Sequence, residues 1–292
     1  MRIKQKQTPI HQPVLLEAVV SVLSPQPGES YLDITAGYGG HAQEIIADLG
    51  EQGSITLVDR DPEAIETLQN VFEHNKNVIV VHDSFASATK KFVAEKQQFD
   101  VILADFGVSS PHLDKAPRGF SYRLDGPLDM RMNQQTGETA AELIVRTSAE
   151  ELTKILRRFG EEPRAKKIAA SLKRKLPTTT QETRELIEEI VPPHQLNKTM
   201  ARTFQALRIA TNDELEQISQ FLVKLPQLLK PGGRVACISF HSSEDRMVKD
   251  RFRELAIMDG FILTNKKPIS GEHEDFNPRA RSAKLRAAAK QK

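Results

Sequence analysis

With 292 residues, 39% of them hydrophobic and 27% charged, the chain can bury a sizeable core and reads as an ordinary globular protein of one large domain or two smaller ones. Its single cysteine, Cys237, excludes a disulfide framework and a cysteine metal cluster, and its place in the apolar run Val235-Ala236-Cys237-Ile238 marks it as core. No apolar run approaches the roughly 20 residues of a membrane-spanning helix, and the polar start lacks the apolar stretch of a secretory signal, so a soluble, cytoplasmic protein with no membrane partner is expected.

From residue 30 to 104 strand-like runs alternate with helical stretches, the pattern of βαβ units in a parallel sheet, so the fold class is α/β. Strands are expected at 30–34, 54–58, 78–81 and 101–104, with helices near 40–49, 62–73 and 86–95. From 111 to 208 no strand-like run occurs. Helical patterns around 139–146, 149–159, 161–175 and 181–190 make this stretch a helical insertion. The α/β pattern resumes with a helix over 212–229, a Pro231-Gly232-Gly233 turn, a strand over 234–240 and a helix over 243–256. Residues 1–110 and 209–292 thus form one discontinuous domain around the insertion 111–208. An antiparallel strand is expected near 261–264, followed by a mobile Ala/Lys/Arg-rich end.

The formal net charge of +2 decides little, but its distribution is uneven. Nine Lys/Arg face two Glu in residues 154–175, and six Lys/Arg stand without an acid in 277–292. Such patches favour a polyanionic partner, with RNA ahead of a merely solvated surface.

Asp33-Ile34-Thr35-Ala36-Gly37-Tyr38-Gly39-Gly40-His41 leaves the first strand and opens a helix, and its glycines let the backbone turn tightly and approach a ligand. Gly37-x-Gly39-x-x-Ala42 also satisfies a relaxed dinucleotide fingerprint, with Asp59 placed 22 residues on to bind ribose hydroxyls or, alternatively, to cap the next helix. Asp33 discriminates between cofactors, because a carboxylate there suits an ammonium or sulfonium better than a pyrophosphate; its other reading is a cap on the turn. Phe85, after the third strand, is a candidate to cover an adenine face, with ordinary core packing as the alternative. The fourth strand ends in Asp105-Phe106-Gly107-Val108-Ser109-Ser110-Pro111 at the edge where open parallel sheets bind ligands. There Asp105 is the catalytic candidate, an acceptor able to hold an amino nitrogen in line with a methyl donor. Methylation at a pyrimidine carbon would ask for a thiolate, which Cys237 is not placed to supply, so a nitrogen target is favoured. Ser239-Phe240-His241-Ser242-Ser243-Glu244 ends the resumed sheet; His241 either touches substrate or hydrogen-bonds structurally, and Ser242 or Ser243 caps the helix. No metal-ligand spacing stands out.

Together the blocks His11-Gln12-Pro13-Val14-Leu15-Leu16, Gly39-Gly40-His41, Asp59-Arg60-Asp61-Pro62, Gly107-Val108-Ser109-Ser110-Pro111, Arg118-Gly119-Phe120-Ser121, Asp125 to Met132, Thr203 to Ile209, Ser239-Phe240-His241-Ser242 and Asn277 to Ser282 resemble one family. It is that of the bacterial 16S ribosomal RNA cytosine-N4 methyltransferases, also known as the MraW family. The resemblance implies a Rossmann-like class I methyltransferase core with an inserted helical domain for substrate recognition. It implies S-adenosyl-L-methionine as cofactor and a cytosine of the decoding region in small-subunit ribosomal RNA as substrate, within an assembled or nearly assembled subunit. The oligomeric state, monomer or homodimer, stays open. Cofactor contacts would fall on Gly39, Gly40, His41, Asp59, Phe85, Asp105 and His112, where the family commonly has glutamine. Candidate substrate contacts are Ser109, Ser110, Arg118, Asp129, Arg131, His241, Arg279 and Arg281. The block 125–132 reads either as a lid that bridges core and insertion and closes over a flipped base or as a structural interdomain clasp. The rival readings are a non-catalytic ribosome-assembly factor, a nicotinamide-dependent oxidoreductase and a DNA amino-methyltransferase.

Overall fold

The computed structural model describes residues 13–273 and 278–292. In chain order its main elements are α1 (Leu16–Leu23), β1 (Ser30–Asp33), α2 (Gly40–Leu49), β2 (Ser54–Asp59), α3 (Pro62–Val71), β3 (Val78–His82), α4 (Phe85–Ala94) and β4 (Phe99–Asp105). There follow α5 (Ser110–Asp114), α6 (Ala140–Arg146), α7 (Ala149–Gly160), α8 (Ala165–Lys175), α9 (Thr180–Glu188) and α10 (Pro193–Asn212). The chain closes with α11 (Glu214–Leu228), β5 (Leu229–Ser239), α12 (Ser242–Met258), β6 (Phe261–Leu263), β7 (Ile269–Ser270) and β8 (Lys284–Lys290). Two compact units result, one of residues up to Gly107 with Ile218–Lys292, the other Val108–Gln217.

The first unit is built on a sheet of order β3-β2-β1-β4-β5-β8-β6, with β7 paired to β8. Strands β1 to β5 run parallel. Parallel strands covered on both faces must be apolar throughout, and β4, Phe-Asp-Val-Ile-Leu-Ala-Asp, has four consecutive buried residues from Val101 to Ala104. All five parallel strands therefore end at one edge, where Asp33, Asp59, His82, Asp105 and Ser239 close them. The order of connection reverses between β1 and β4, the switch point at which such sheets bind ligands. Helix α1, absent from the sequence expectation, buries Val19 and Leu23 against the same core as Tyr31, Leu57 and Leu103.

Two expectations are corrected here. The Lys/Arg-rich end is not a mobile tail: residues 284–290 form β8, antiparallel between β5 and β6, with Leu285, Ala287 and Ala288 buried. Its cations are used internally. Arg286 pairs with Asp245 at 2.7 Å, and the Lys290 ammonium donates to the carbonyls of Pro226 and Leu229. Cys237 lies on β5 and is buried, and that burial pushes its thiol well up, which suits core packing.

The second unit packs α6 to α10 around Leu152, Leu156, Ile168, Leu172, Phe204 and Leu207. Helix α7 buries Leu152, Leu156 and Gly160 along one stripe, and a Cβ at Gly160 would fall 2.4 Å from the Arg202 carbonyl, so only glycine admits that crossing of α7 and α10. The sequence pattern placed no helix over 193–211, yet α10 runs unbroken through it. Its buried stripe contains Thr199, Thr203 and Asn212 beside Met200, Phe204 and Leu207, so polar residues mask the apolar period.

Candidate active site

Asp33 is 1% exposed at the end of β1, and both its oxygens are engaged: Oδ2 accepts the Tyr31 hydroxyl at 2.9 Å and Oδ1 the Thr35 N–H at 3.2 Å. Burial outweighs these bonds and pushes its carboxyl up to about 7, with Asp59 adding to the rise. Asp33 therefore sits beneath the glycine loop as a source of field rather than as a surface ligand. The Thr35 hydroxyl accepts the Asp105 N–H at 2.6 Å and locks the ends of β1 and β4 together.

Asp59 does not cap α3; Asp61 does, accepting the Glu63 N–H. Asp59 accepts the Gly37 N–H at 2.8 Å through Oδ2 and the Asp61 N–H at 2.8 Å through Oδ1, so one carboxylate fixes the loop and the following turn. Gly39 has φ +82°, and a Cβ there would meet Leu68 and Phe72 at 3.0 Å, which excludes other residues on both counts. A Cβ on Gly37 would meet nothing closer than 4.0 Å, so space lies open over the loop at this point. Gly40 leads α2 and is closely covered by Pro13, whose Cγ a Cβ would meet at 2.7 Å.

His41, on the first turn of α2, donates from Nε2 to the Val14 carbonyl at 2.9 Å, which leaves Nδ1 as an acceptor 3.8 Å from Asp105 Oδ2. Burial lowers this imidazole to about 4, so it is neutral at pH 7. Asp105 is pushed well above the usual carboxylate range, first by burial and then by the charges of Asp33 and Glu244. Its Oδ1 is buried with no hydrogen-bond partner. Leaving such an acceptor unmade costs about 1–3 kcal/mol, more for a charged group, and it lies within the edge of the sheet beside a neutral, accepting imidazole. Phe85 joins Phe106 and Phe221 in an aromatic trio with centroids 6.0–6.4 Å apart, and it stays half-buried while Phe106 is 2% exposed.

His241, and not Ser242 or Ser243, is the N-cap of α12. Glu244 reaches back to accept the Phe240 N–H at 2.8 Å and the His241 N–H at 3.3 Å, while His241 Nδ1 accepts the Glu244 N–H at 3.5 Å. This reciprocal box is the structural reading of His241. Arg281 is exposed; the Arg279 side chain lies outside the described residues, as do His11, Gln12 and Asn277 of the sequence blocks.

The remaining expected residues belong to the second unit. Ser109 is the N-cap of α5, and its N–H and hydroxyl both meet His112 Nδ1, at 3.2 and 2.9 Å, with Ser110 following as the first helical residue. The histidine thus closes the box that a glutamine at this place would close. Its ring is buried and stacks 4.8 Å from Phe120. Arg118, expected among the substrate contacts, is only 2% exposed and donates to the carbonyls of Arg131 and Met132. Asp129 is held bidentately by Arg131, through Nε at 2.8 Å and Nη2 at 3.0 Å, and also accepts from Gln134 at 3.0 Å. These bonds and the Arg131 charge hold its carboxyl below the usual range. Asn212 accepts the Met132 N–H at 2.9 Å and donates to the Met130 carbonyl at 2.7 Å, so residues 130–132 are clasped to α10 within the second unit.

Sequence reasoning missed Tyr31, Thr35 and the Val14 carbonyl as supports of the three central side chains. A signal existed for Tyr31, which shares a strand face with Asp33 at a spacing of two. Among the described residues no group of three or more His, Cys, Asp or Glu side chains is placed to hold a metal, and no helix is long and apolar enough to cross a membrane.

Residues 8–291 match the MraW methylase family. The chain is 44% identical to the ribosomal RNA small subunit methyltransferase H of Synechocystis sp., over 98% of this chain and 96% of that protein. It is 44% identical to the protein of that description from Cyanothece sp., over 96% of this chain and 94% of the other, and 41% identical to that of Acidobacterium capsulatum, over 96% and 98%.

Proposed function

The chain belongs to the MraW methylase family, and from that premise we propose that it transfers a methyl group from S-adenosylmethionine to the exocyclic N4 of a cytosine in 16S ribosomal RNA. The observation that carries the reading is Asp105 Oδ1, a buried acceptor left without a partner at the carboxyl end of β4. The residues present fit the cofactor. Asp33 and Asp105 both hold protons more tightly than free carboxylates, so a cation brought beside them regains the energy that burial withholds. The open space over Gly37 gives the backbone approach such a ligand needs.

S-adenosylmethionine, when bound, supplies an electrophilic methyl on a positively charged sulfur. The protein's part is positioning and proton handling. A cytosine N4 is a weak nucleophile because its lone pair is delocalised into the ring, so it must be held in line by acceptors on its hydrogens. We take the Asp105 side chain, 24% exposed although its Oδ1 is buried, to accept one N4–H through a carboxylate oxygen. As N4 gains the methyl it must lose a proton, and the raised proton affinity of Asp105 lets that oxygen receive it. His41 stays neutral and its Nδ1 accepts, so it adds no positive charge to compete with the cofactor.

The second unit supports RNA as the partner. Lys154, Arg157 and Arg158 on α7 and Lys166, Lys167, Arg174 and Lys175 on α8 are all exposed, and a face of that sign binds phosphates through counterion release. We take the substrate to be the RNA within an assembled or nearly assembled small subunit, with the enzyme in the cytoplasm, and His112, Ser109 and Ser110 as contacts made from the second unit.

The test is incubation with labelled S-adenosylmethionine and small subunits lacking the modification, followed by digestion to nucleosides. Label in N4-methylcytidine, lost in Asp105→Ala, is the expected result. Cofactor binding without transfer to any RNA would instead favour a non-catalytic assembly factor.

A further inference from the structure

Helix α12 starts where β5 ends, and Asp105 pairs in register with Ile238 of β5, so the first turn of α12 stands at the edge of the sheet that carries the reacting groups. From Ser242 to Arg253 the helix leads about 16 Å away from that edge, at about 1.5 Å per residue. Lys249 and Arg253 lie a turn apart on one side of α12 and, with Lys266 from the segment after β6, line a shallow groove whose walls include Phe252, Leu263 and Asn265. Arg286 also reaches this groove, held by Asp245 through Nε at 2.7 Å and Nη2 at 3.2 Å.

The charge balance of the groove is positive for identifiable reasons. Glu244 is buried in the capping box, and Asp245 is consumed by Arg286 and by Lys284 at 3.6 Å. Glu254 is paired with Arg251 at 2.8 Å. Asp250, on the border of the stripe, meets Lys249 at 3.6 Å. Among the described residues, Arg253 and Lys266 are exposed and have no carboxylate partner. The next residue of the stripe, Ile257, is 84% exposed and offers nothing to a phosphate, which sets where the cationic stretch ends.

We infer that this groove binds backbone phosphate of the substrate RNA at a distance from the methylated base, with Lys249, Arg253 and Lys266 as the phosphate ligands. The proposal rests on the reading of the protein as an RNA methyltransferase. Arg286, immobilised by its carboxylate, forms the rigid wall, and the three flexible cations close on the strand. Such a contact fixes the register of the RNA and adds affinity without reading sequence, so its loss weakens substrate binding and leaves the chemical step intact.

The test uses the full-length protein with Arg253→Gln and Lys266→Gln combined, beside the charge-conserving pair Arg253→Lys and Lys266→Arg. Binding of unmodified small subunits is followed against salt concentration, together with kcat, KM for RNA and cofactor affinity by calorimetry. Each cation removed from an RNA phosphate lowers the slope of log K against log salt by about 0.7–0.9, so the glutamine pair should lose about 1.5 and raise KM at least tenfold at about 0.1 M salt. kcat and cofactor affinity should not move, and the charge-conserving pair should behave as wild type. An unchanged slope in the glutamine pair overturns the proposal, as does a charge-conserving pair that is equally defective. Loss of binding to phosphatidylserine vesicles with an unchanged RNA slope also overturns it, in favour of a lipid surface. Wild-type protein that binds cofactor yet methylates no RNA sinks the functional reading along with the groove, whereas normal wild-type transfer with an unchanged slope sinks the groove alone.

Discussion

Asp105 and Asp129 are the same residue type in opposite electrostatic states. Asp105 ends β4 with one oxygen buried and unpartnered, and its carboxyl is driven up by burial and by neighbouring acids. Asp129 is gripped by Arg131 and Gln134, and its carboxyl is driven down. A buried polar group that the fold satisfies holds the fold together; one that the fold leaves wanting is held ready for a ligand, and its cost is borne by the packing around it. The two aspartates lie in different units of the chain, Asp105 in the α/β unit and Asp129 in the helical one.

The sharpest way to break the comparison is to remove each carboxylate and measure both activity and stability. Asp105→Ala should lower kcat by about a thousandfold, equivalent to about 4 kcal/mol of barrier. It should leave the melting temperature unchanged or raise it, since it deletes a buried acceptor with no partner. If Asp105→Ala unfolds the protein, the residue is structural and the division between the two aspartates collapses.

The second effect is a pH dependence carried by Asp33. Its carboxyl lies at about 7 in the folded protein against an ordinary 3.8, so the folded state binds the proton more tightly than the unfolded one. Its stabilising share is therefore complete below about pH 4 and is lost as pH rises through 7, an effect on the order of 4 kcal/mol at about 1.4 kcal/mol per pKa unit. His41 acts with the opposite sign: lowered from 6.5 to about 4, its share is present above 6.5 and lost as pH falls through 4. Comparing denaturation midpoints of wild type and Asp33→Asn between pH 4 and 8 isolates the Asp33 share, and identical pH profiles would refute it. A bound cation pulls these carboxyls back down, so S-adenosylmethionine affinity should rise from pH 6 to 8 in wild type and rise less in Asp33→Asn, where Asp105 alone remains, as calorimetric proton release would record.

Much of this site was legible in sequence, because a parallel sheet places the residue after each apolar run at one edge; Asp33, Asp59 and Asp105 needed only that rule. What stayed hidden depended on pairing across distance. Lys-Leu-Arg-Ala-Ala-Ala-Lys reads as a solvated end, and only its place between β5 and β6 makes it a strand. Arg118 reads as a surface cation, and its bonds to the carbonyls of Arg131 and Met132 become visible only in the folded chain. The long helix α10 was masked by buried threonines, and His241 could not be assigned to a cap until Glu244 was seen to answer it.

On the clasp side, Asp129→Ala takes the bidentate partner from the half-buried Arg131, which keeps its bond to the Gly137 carbonyl, and frees the exposed Gln134 amide to water. It should cost about 2–3 kcal/mol in urea denaturation, with the wild-type share present at neutral pH and lost only as pH falls through the depressed carboxyl. Cofactor affinity should be unchanged, because the Asp129 carboxylate is already engaged by Arg131 and Gln134. A drop in cofactor affinity with no loss of stability would reverse the assignment and make residues 125–132 the lid.

The smallest effect is at His112, where the two roles meet in one residue. It closes the capping box of α5 through Nδ1, a task glutamine performs equally well. His112→Gln should therefore change stability by less than about 0.5 kcal/mol, whereas His112→Ala should cost about 1 kcal/mol, the ordinary worth of a helix cap. If the ring also touches the cofactor, as proposed for the second unit, alanine should weaken cofactor binding measurably and glutamine should restore it. Equal cofactor affinity in all three proteins would leave His112 with the cap alone, and would move it wholly to the satisfied side of the molecule.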